Sequence, residues 1–301
     1  MFIEQVKTEK FNFLLYLPIP VLFLVLMLAN YFASMDVNTE EVMHQTIAAI
    51  GVNATFVALI IPLSLACIFL LIWVKVVHRQ SITSLTTSRV KIDWKRVFFS
   101  FGLWGFVSVG LTLLVYFSHP ENFKINFQPV PFFSFLILAV ILVPLQTSFE
   151  EYLFRGYLMQ GLGVVTNSKL IPLLVTSIMF GLMHIANPEV GKMGYIILIY
   201  YIGTGFFLGI ITLMDEGMEL ALGFHAANNL VGALLITSDW TAFQTHSILK
   251  DLSEPSAGFD VILPVFVVFP LLIYVFAKKY QWNNWSDKLT GKLQFNTTET
   301  L

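Results

Sequence analysis

Apolar stretches of membrane-crossing length dominate this sequence. They lie near 12–34, 48–74, 97–117, 132–160, 169–187, 194–214, 219–237 and 260–278. A helix needs ~20 residues to cross the hydrocarbon core, and a backbone in lipid must satisfy its own hydrogen bonds. The fold class that follows is all-α, a polytopic membrane bundle of about eight transmembrane helices. The weak alternating pattern of a membrane β-barrel is absent. The second and fourth stretches are long, so tilt or extension beyond the bilayer is expected.

Composition agrees. Only 12% of the 301 residues are charged and 56% are hydrophobic, against about 25% charged in a soluble domain. A net charge of -2 argues against a nucleic-acid partner. Cys67 is the one cysteine and sits inside an apolar stretch. That excludes an internal disulfide framework and disfavours a cysteine–histidine zinc site. The first apolar run, Phe11 to Ala33, exceeds a signal-peptide core, and its flank mixes Lys7 and Lys10 with Glu4 and Glu9. It reads as a retained membrane helix.

Loop charges predict orientation. The segment from Lys75 to Arg96 holds Lys75, Arg79, Arg89, Lys91, Lys95 and Arg96 against Asp93. The tail carries Lys278, Lys279, Lys288 and Lys292, whereas Asp36 to His44 has acids and no Lys or Arg. With eight spans, both termini are expected in the cytoplasm. Compact loops and the lack of eukaryotic targeting signals point to a bacterial inner membrane. No repeat, linker or soluble domain interrupts the chain, so residues 1–301 read as a single membrane domain. Its core, 130–237, holds nearly all the polar residues of the spans. Spans one to three and eight read as scaffold or lipid-facing wall.

Within that core, Glu150 and Glu151 stand side by side in Phe149-Glu150-Glu151-Tyr152-Leu153-Phe154-Arg155. A charge in hydrocarbon costs at least ~2.5–3.5 kcal/mol on insertion scales. Glu151 and Arg155 are four apart and share a helix face, so they are expected to pair. Glu150 is turned about 100° away, has no cation on its own face, and is left for general-base chemistry. Pro144, six residues earlier, is expected either to kink the helix and open a polar cavity or to be tolerated in place.

Six histidines occur, and His184 and His225 alone fall inside spans. Phe180 lies four before His184, and Asn229 four after His225; Asn228 is turned away by about 60°. Gly156, Ser177, Gly181, Gly223, Ala226 and Ala227 permit close helix approach, and Gly205-x-x-x-Gly209 is a packing pattern. Together these groups can hydrolyse an amide. Glu150 takes a proton from water that His184 orients, and His225 and Asn229 donate to the oxyanion. The same Glu150, His184 and His225 are also typical ligands of a catalytic zinc, and residue type does not separate the schemes. Simple topology puts His184 and His225 towards opposite ends of their spans, yet a shared site requires one depth.

Glu150-Glu151-x-x-x-Arg155, Phe180-x-x-x-His184 and His225-x-x-x-Asn229, in that order on successive helices, resemble the CPBP or Abi family, which includes the CAAX prenyl endopeptidases. The resemblance covers roughly 130–237. It implies an eight-helix intramembrane protease of the glutamate type, without a metal cofactor. It also implies Glu150 with His184 as the base, His225 with Asn229 as the oxyanion site, and Glu151 and Arg155 in support. The expected partners are a peptide or membrane-protein substrate and the lipid bilayer. A transporter with buried proton-carrying groups, or a non-catalytic immunity protein, would use the same residues differently.

Overall fold

The structure is a computed structural model that describes residues 1–6, 11–255 and 258–293. The mixed flank of Lys7, Glu9 and Lys10 lies outside the described residues. The first helices are α1 (Pro18–Ser34), α2 (Thr39–Ile50), α3 (Val52–Val76), α4 (Ile82–Thr86) and α5 (Trp94–Ser118). Next comes α6 (Pro129–Glu151), which runs through a π-helical segment, Tyr152–Leu158, into α7 (Met159–Thr166). Then follow α8 (Leu170–Leu182), α9 (Pro188–Met193), α10 (Leu198–Asp215) and α11 (Glu219–Leu235). The chain continues through α12 (Phe259–Leu263), a second π-helical segment at Pro264–Val268, α13 (Phe269–Tyr280) and α14 (Trp285–Thr290).

This is an all-α polytopic membrane bundle. Among the described residues, six helical segments are long and apolar enough to cross a membrane: Phe13–Ser34, Val52–Val76, Trp94–Ser118, Pro129–Thr166, Tyr195–Asp215 and Val261–Tyr280. The other two expected spans are shorter helices, α8 and α11. The second expected span, near 48–74, is divided. Gly51 adopts φ 84°, a left-handed conformation open to glycine, and separates α2 from α3. The fourth expected span is longer than the sequence indicates, 38 residues from Pro129 to Thr166. Its irregular stretch is the π-helical segment after the glutamates rather than a break at Pro144, which lies inside α6.

One departure from pure helix is a three-stranded sheet of order β1-β3-β2, made of Phe123–Ile125, Leu249–Asp251 and Ile236–Thr237. β1 pairs antiparallel with β3, and β2 parallel with it. It joins the start of α6 to the end of α11.

Small residues set the helix spacing. A β-carbon on Gly223 of α11 would overlap the Val97 carbonyl of α5, and one on Gly205 of α10 would overlap the Ser177 carbonyl of α8. The Ser100 hydroxyl donates to Leu220 O at 2.7 Å across the first of these contacts. The main core gathers Phe149, Leu153, Phe154, Tyr157, Met159, Phe180, Phe207, Phe224 and Phe269 around the π-helical segment. By contrast α1 is largely exposed; Phe23 packs edge-on against Phe149 and Phe154 at 5.5 and 6.3 Å.

Charged groups bury the turn between α10 and α11. Arg89 donates to Asp215 and to Glu219, each at 3.1 Å, and Arg96 to Asp215 at 2.6 Å. Trp282 donates to Asp215 and Lys288 to the Met214 carbonyl. Hydropathy gives no hint of this network, because the arginines lie 119 to 130 residues from their partners. It seats the α10–α11 turn inside the protein beneath the chain from 86 to 96 and α14. Starting from a buried turn, α11 carries His225 to within 2.7 Å of Glu151.

Candidate active site

The polar residues of α6, α8, α10 and α11 meet at the junction of α6 with the π-helical segment. Glu150 and Glu151 are 3% and 0% exposed, and Arg155 is 0% exposed. Arg155 Nη1 donates to Glu151 Oε1 at 2.9 Å, the i,i+4 pair that the spacing predicts. Its Nη2 donates to the Gly205 carbonyl at 3.1 Å, and its guanidinium lies 4.2 Å from the centre of the Phe180 ring. Gly205 therefore serves two ends: without a side chain it lets α8 approach, and its carbonyl accepts from the arginine.

His225 joins the two carboxylates. Its Nδ1 donates to Glu151 Oε1 at 2.7 Å, and its Nε2 lies 3.6 Å from Glu150 Oε2. Glu150 has no cation on its own helix face, and its partner there is an uncharged amide. Gln146, one turn earlier on that face, donates through Nε2 to Glu150 Oε1. Its own Oε1 accepts from Asn229 Nδ2 at 3.2 Å. Asn228 Nδ2 donates to Asn229 Oδ1 at 3.1 Å, and Trp104 Nε1 donates to Asn228 Oδ1 at 3.1 Å. Among the described residues, the buried Oε2 atoms of both glutamates have no protein hydrogen-bond partner.

His184 occupies the far side of Phe180. It follows the last turn of α8, and its Nδ1 donates to the Phe180 carbonyl at 2.9 Å. A neutral ring so bonded carries its hydrogen on Nδ1 and presents a lone pair on Nε2. The ring stacks on Tyr201 at 4.2 Å and 10°. Phe180 touches both histidines, with ring centres 5.3 Å from His184 and 5.7 Å from His225. The two histidines therefore reach one neighbourhood through their shared contact with Phe180. Among the described residues no hydrogen bond joins His184 to Glu150; the imidazole beside Glu150 is His225. Glu150, His184 and His225 form no three-ligand metal cluster among the described residues.

Sequence reasoning missed Gln146, Trp104 and Tyr201. Gln146 was within reach, since it lies four before Glu150. Trp104 carries no charge and lies 124 residues from its partner.

The stretch 129–231 holds every one of these groups except Trp104. Those same residues match the family model described as type II CAAX prenyl endopeptidase Rce1-like. The likeness to the Rce1-like family is confined to residues 129–231. The Rce1-like segment contains all three motifs on which the resemblance rests. The chain is also 33% identical over 165 residues to the uncharacterized protein YyaK of Bacillus subtilis (strain 168). That match covers 54% of this chain and 55% of YyaK, so the chain spans about half the length of that relative. No solved structure matches the chain. The apolar helices make this an integral membrane protein, and the segment at its core is similar to a family of peptidases.

Proposed function

We propose that this protein is an intramembrane endopeptidase that hydrolyses a peptide bond with water, and that Glu150 is its base. The observation that carries the reading is the state of Glu150. One carboxylate oxygen is held by Gln146, and the other is buried, 3.6 Å from His225 Nε2 and without a protein hydrogen-bond donor among the described residues. A carboxylate oxygen that no protein group holds is the one available to take a proton. Water bound between Glu150, the Nε2 lone pair of His184 and a substrate carbonyl is the proposed nucleophile.

Glu150 Oε2 takes one proton from water as the water oxygen bonds to the scissile carbonyl carbon. The carbonyl oxygen becomes an oxyanion. Asn229 donates to it through its second Nδ2 hydrogen, and His225 adds an Nε2–H donor when it is the imidazolium, with Nδ1–H held by Glu151. Glu150 then returns its proton to the leaving nitrogen as the C–N bond breaks, giving an acid and an amine. Glu151 and Arg155 neutralise each other and hold His225 by Nδ1, which leaves Nε2 for the reaction.

The substrate is a peptide or membrane protein with an apolar segment. An apolar cavity of about 250 Å³ between α1 and the end of α8 supports this. Phe154 and Met183 in its wall adjoin Phe180 and His184, so the cavity borders the site. The basic Lys75–Arg96 loop supports cytoplasmic termini in a bacterial inner membrane. A reporter fused after Leu301 that reads as external would reverse that orientation.

The decisive experiment is cleavage of a peptide by purified protein in liposomes. Glu150→Ala, His184→Ala and His225→Ala are expected to lose activity by about 10²-fold or more. Unchanged cleavage by Glu150→Ala would end the proposal. A chelator is expected to leave the rate unaltered, and inhibition reversed by zinc would favour a metal-activated water.

A further inference from the structure

We propose that Trp104 on α5 is a positioning residue for the reaction, acting on Glu150 through a one-way chain of three side-chain amides. The inference rests on Glu150 being the base. The links are the four hydrogen bonds from Trp104 to Asn228, Asn228 to Asn229, Asn229 to Gln146, and Gln146 to Glu150. Every donor in the series faces the glutamate.

That uniform direction has a chemical cause. An indole N–H only donates, whereas an amide both donates and accepts. Trp104 therefore fixes the Asn228 oxygen towards itself, which turns the Asn228 nitrogen to Asn229. The same logic passes to Gln146, whose nitrogen must then face the carboxylate. Reversing any one amide would set donor against donor or acceptor against acceptor. An ionised carboxylate only accepts, so both ends of the chain demand the same polarity. Trp104 is itself held firmly, 6% exposed and packed on Phe224 at 4.6 Å.

Two consequences reach the chemistry. The chain occupies Oε1 of Glu150, so Oε2 is the oxygen that receives the proton. It also ties one hydrogen of Asn229 and leaves the other free for the oxyanion. Helix α5, which hydropathy assigns to scaffold, thereby sets the geometry of a site made by other helices.

The test is a double-mutant cycle on the 301-residue chain in liposomes with a cleavable apolar peptide as probe. Trp104→Phe removes the N–H and keeps an aromatic ring; Gln146→Leu cuts the chain beside the glutamate. Each is expected to lower kcat by about tenfold with KM unchanged. The double variant is expected to be no slower than Gln146→Leu alone, because both changes break one chain. Fully multiplying losses would overturn the relay, as would normal kcat in Trp104→Phe while Glu150→Gln is inactive. Full activity in Glu150→Gln would instead remove the base assignment, and the relay with it. If Trp104→Phe does not fold, Asn228→Ala replaces it in the same cycle with the same expected and overturning results.

Discussion

Arg155 shows how a single residue makes the site tolerable. Its guanidinium serves Glu151, the Gly205 carbonyl and the face of Phe180 at once. Removing one partner of a buried pair strands the other charge, at a cost of about 3–5 kcal/mol. Arg155→Leu is expected to lose stability of that order, read as a lower thermal midpoint in detergent. Arg155→Lys is expected to fall between the two, since an ammonium lacks the planar fork. The pair was legible from its four-residue spacing. Gln146 was equally legible by spacing but drew no notice, because an uncharged side chain in a membrane helix carries little apparent cost.

At the scale of elements, glycine positions decide which helices touch. Gly223 brings α11 against the Val97 carbonyl of α5, the contact that also aligns Trp104 with Asn228. Gly223→Ala must push the helices apart, and overpacking of this kind costs about 1–3 kcal/mol. The variant is expected to unfold earlier and to cleave more slowly, as seen by thermal scanning and by the peptide assay. Gly232→Ala, whose added carbon meets nothing within 4 Å, serves as the control and is expected to behave as wild type. Helix existence was plain from hydropathy; helix length was not. A π-helical segment keeps the 38 residues from Pro129 to Thr166 helical past the two glutamates, and a pattern of apolar residues does not register a change of turn width.

At the scale of the molecule, ion pairs at and beyond the span ends hold the ends of the bundle. At one end Arg89, Arg96, Asp215 and Glu219 bury the α10–α11 turn. Near the other end of α10, the α9 region is tied twice: Lys192 to Glu40 at 2.5 Å, and Glu189 to the Ala242 N–H at 2.8 Å. Burial raises the Glu189 carboxyl above its ordinary 4.5. The folded protein therefore holds that proton more tightly than the unfolded chain does. The stabilisation is full below the unfolded value and is lost as pH rises through the folded one. Glu189→Gln keeps an acceptor for Ala242 and removes the buried charge. Its thermal midpoint is expected to exceed wild type near pH 8 and to match it near pH 4. An equal shift at both values would show that the charge is not the cause.

The sequence by itself determined the solvent, the helical class and the identity of the polar groups that matter. Lipid forbids unpaired backbone, and each buried charge must have a reason, so apolar length and the placement of Glu150, Glu151, Arg155, His184 and His225 were readable along one dimension. Only the tertiary structure decided which groups touch: His225 beside Glu150, His184 on Tyr201, and Gln146 joining Glu150 to Asn229 and, through it, to Trp104. Those contacts depend on how deeply α11 starts and how closely α5 approaches it. Depth and approach are set by arginines and glycines more than 100 residues away, beyond anything that local spacing encodes.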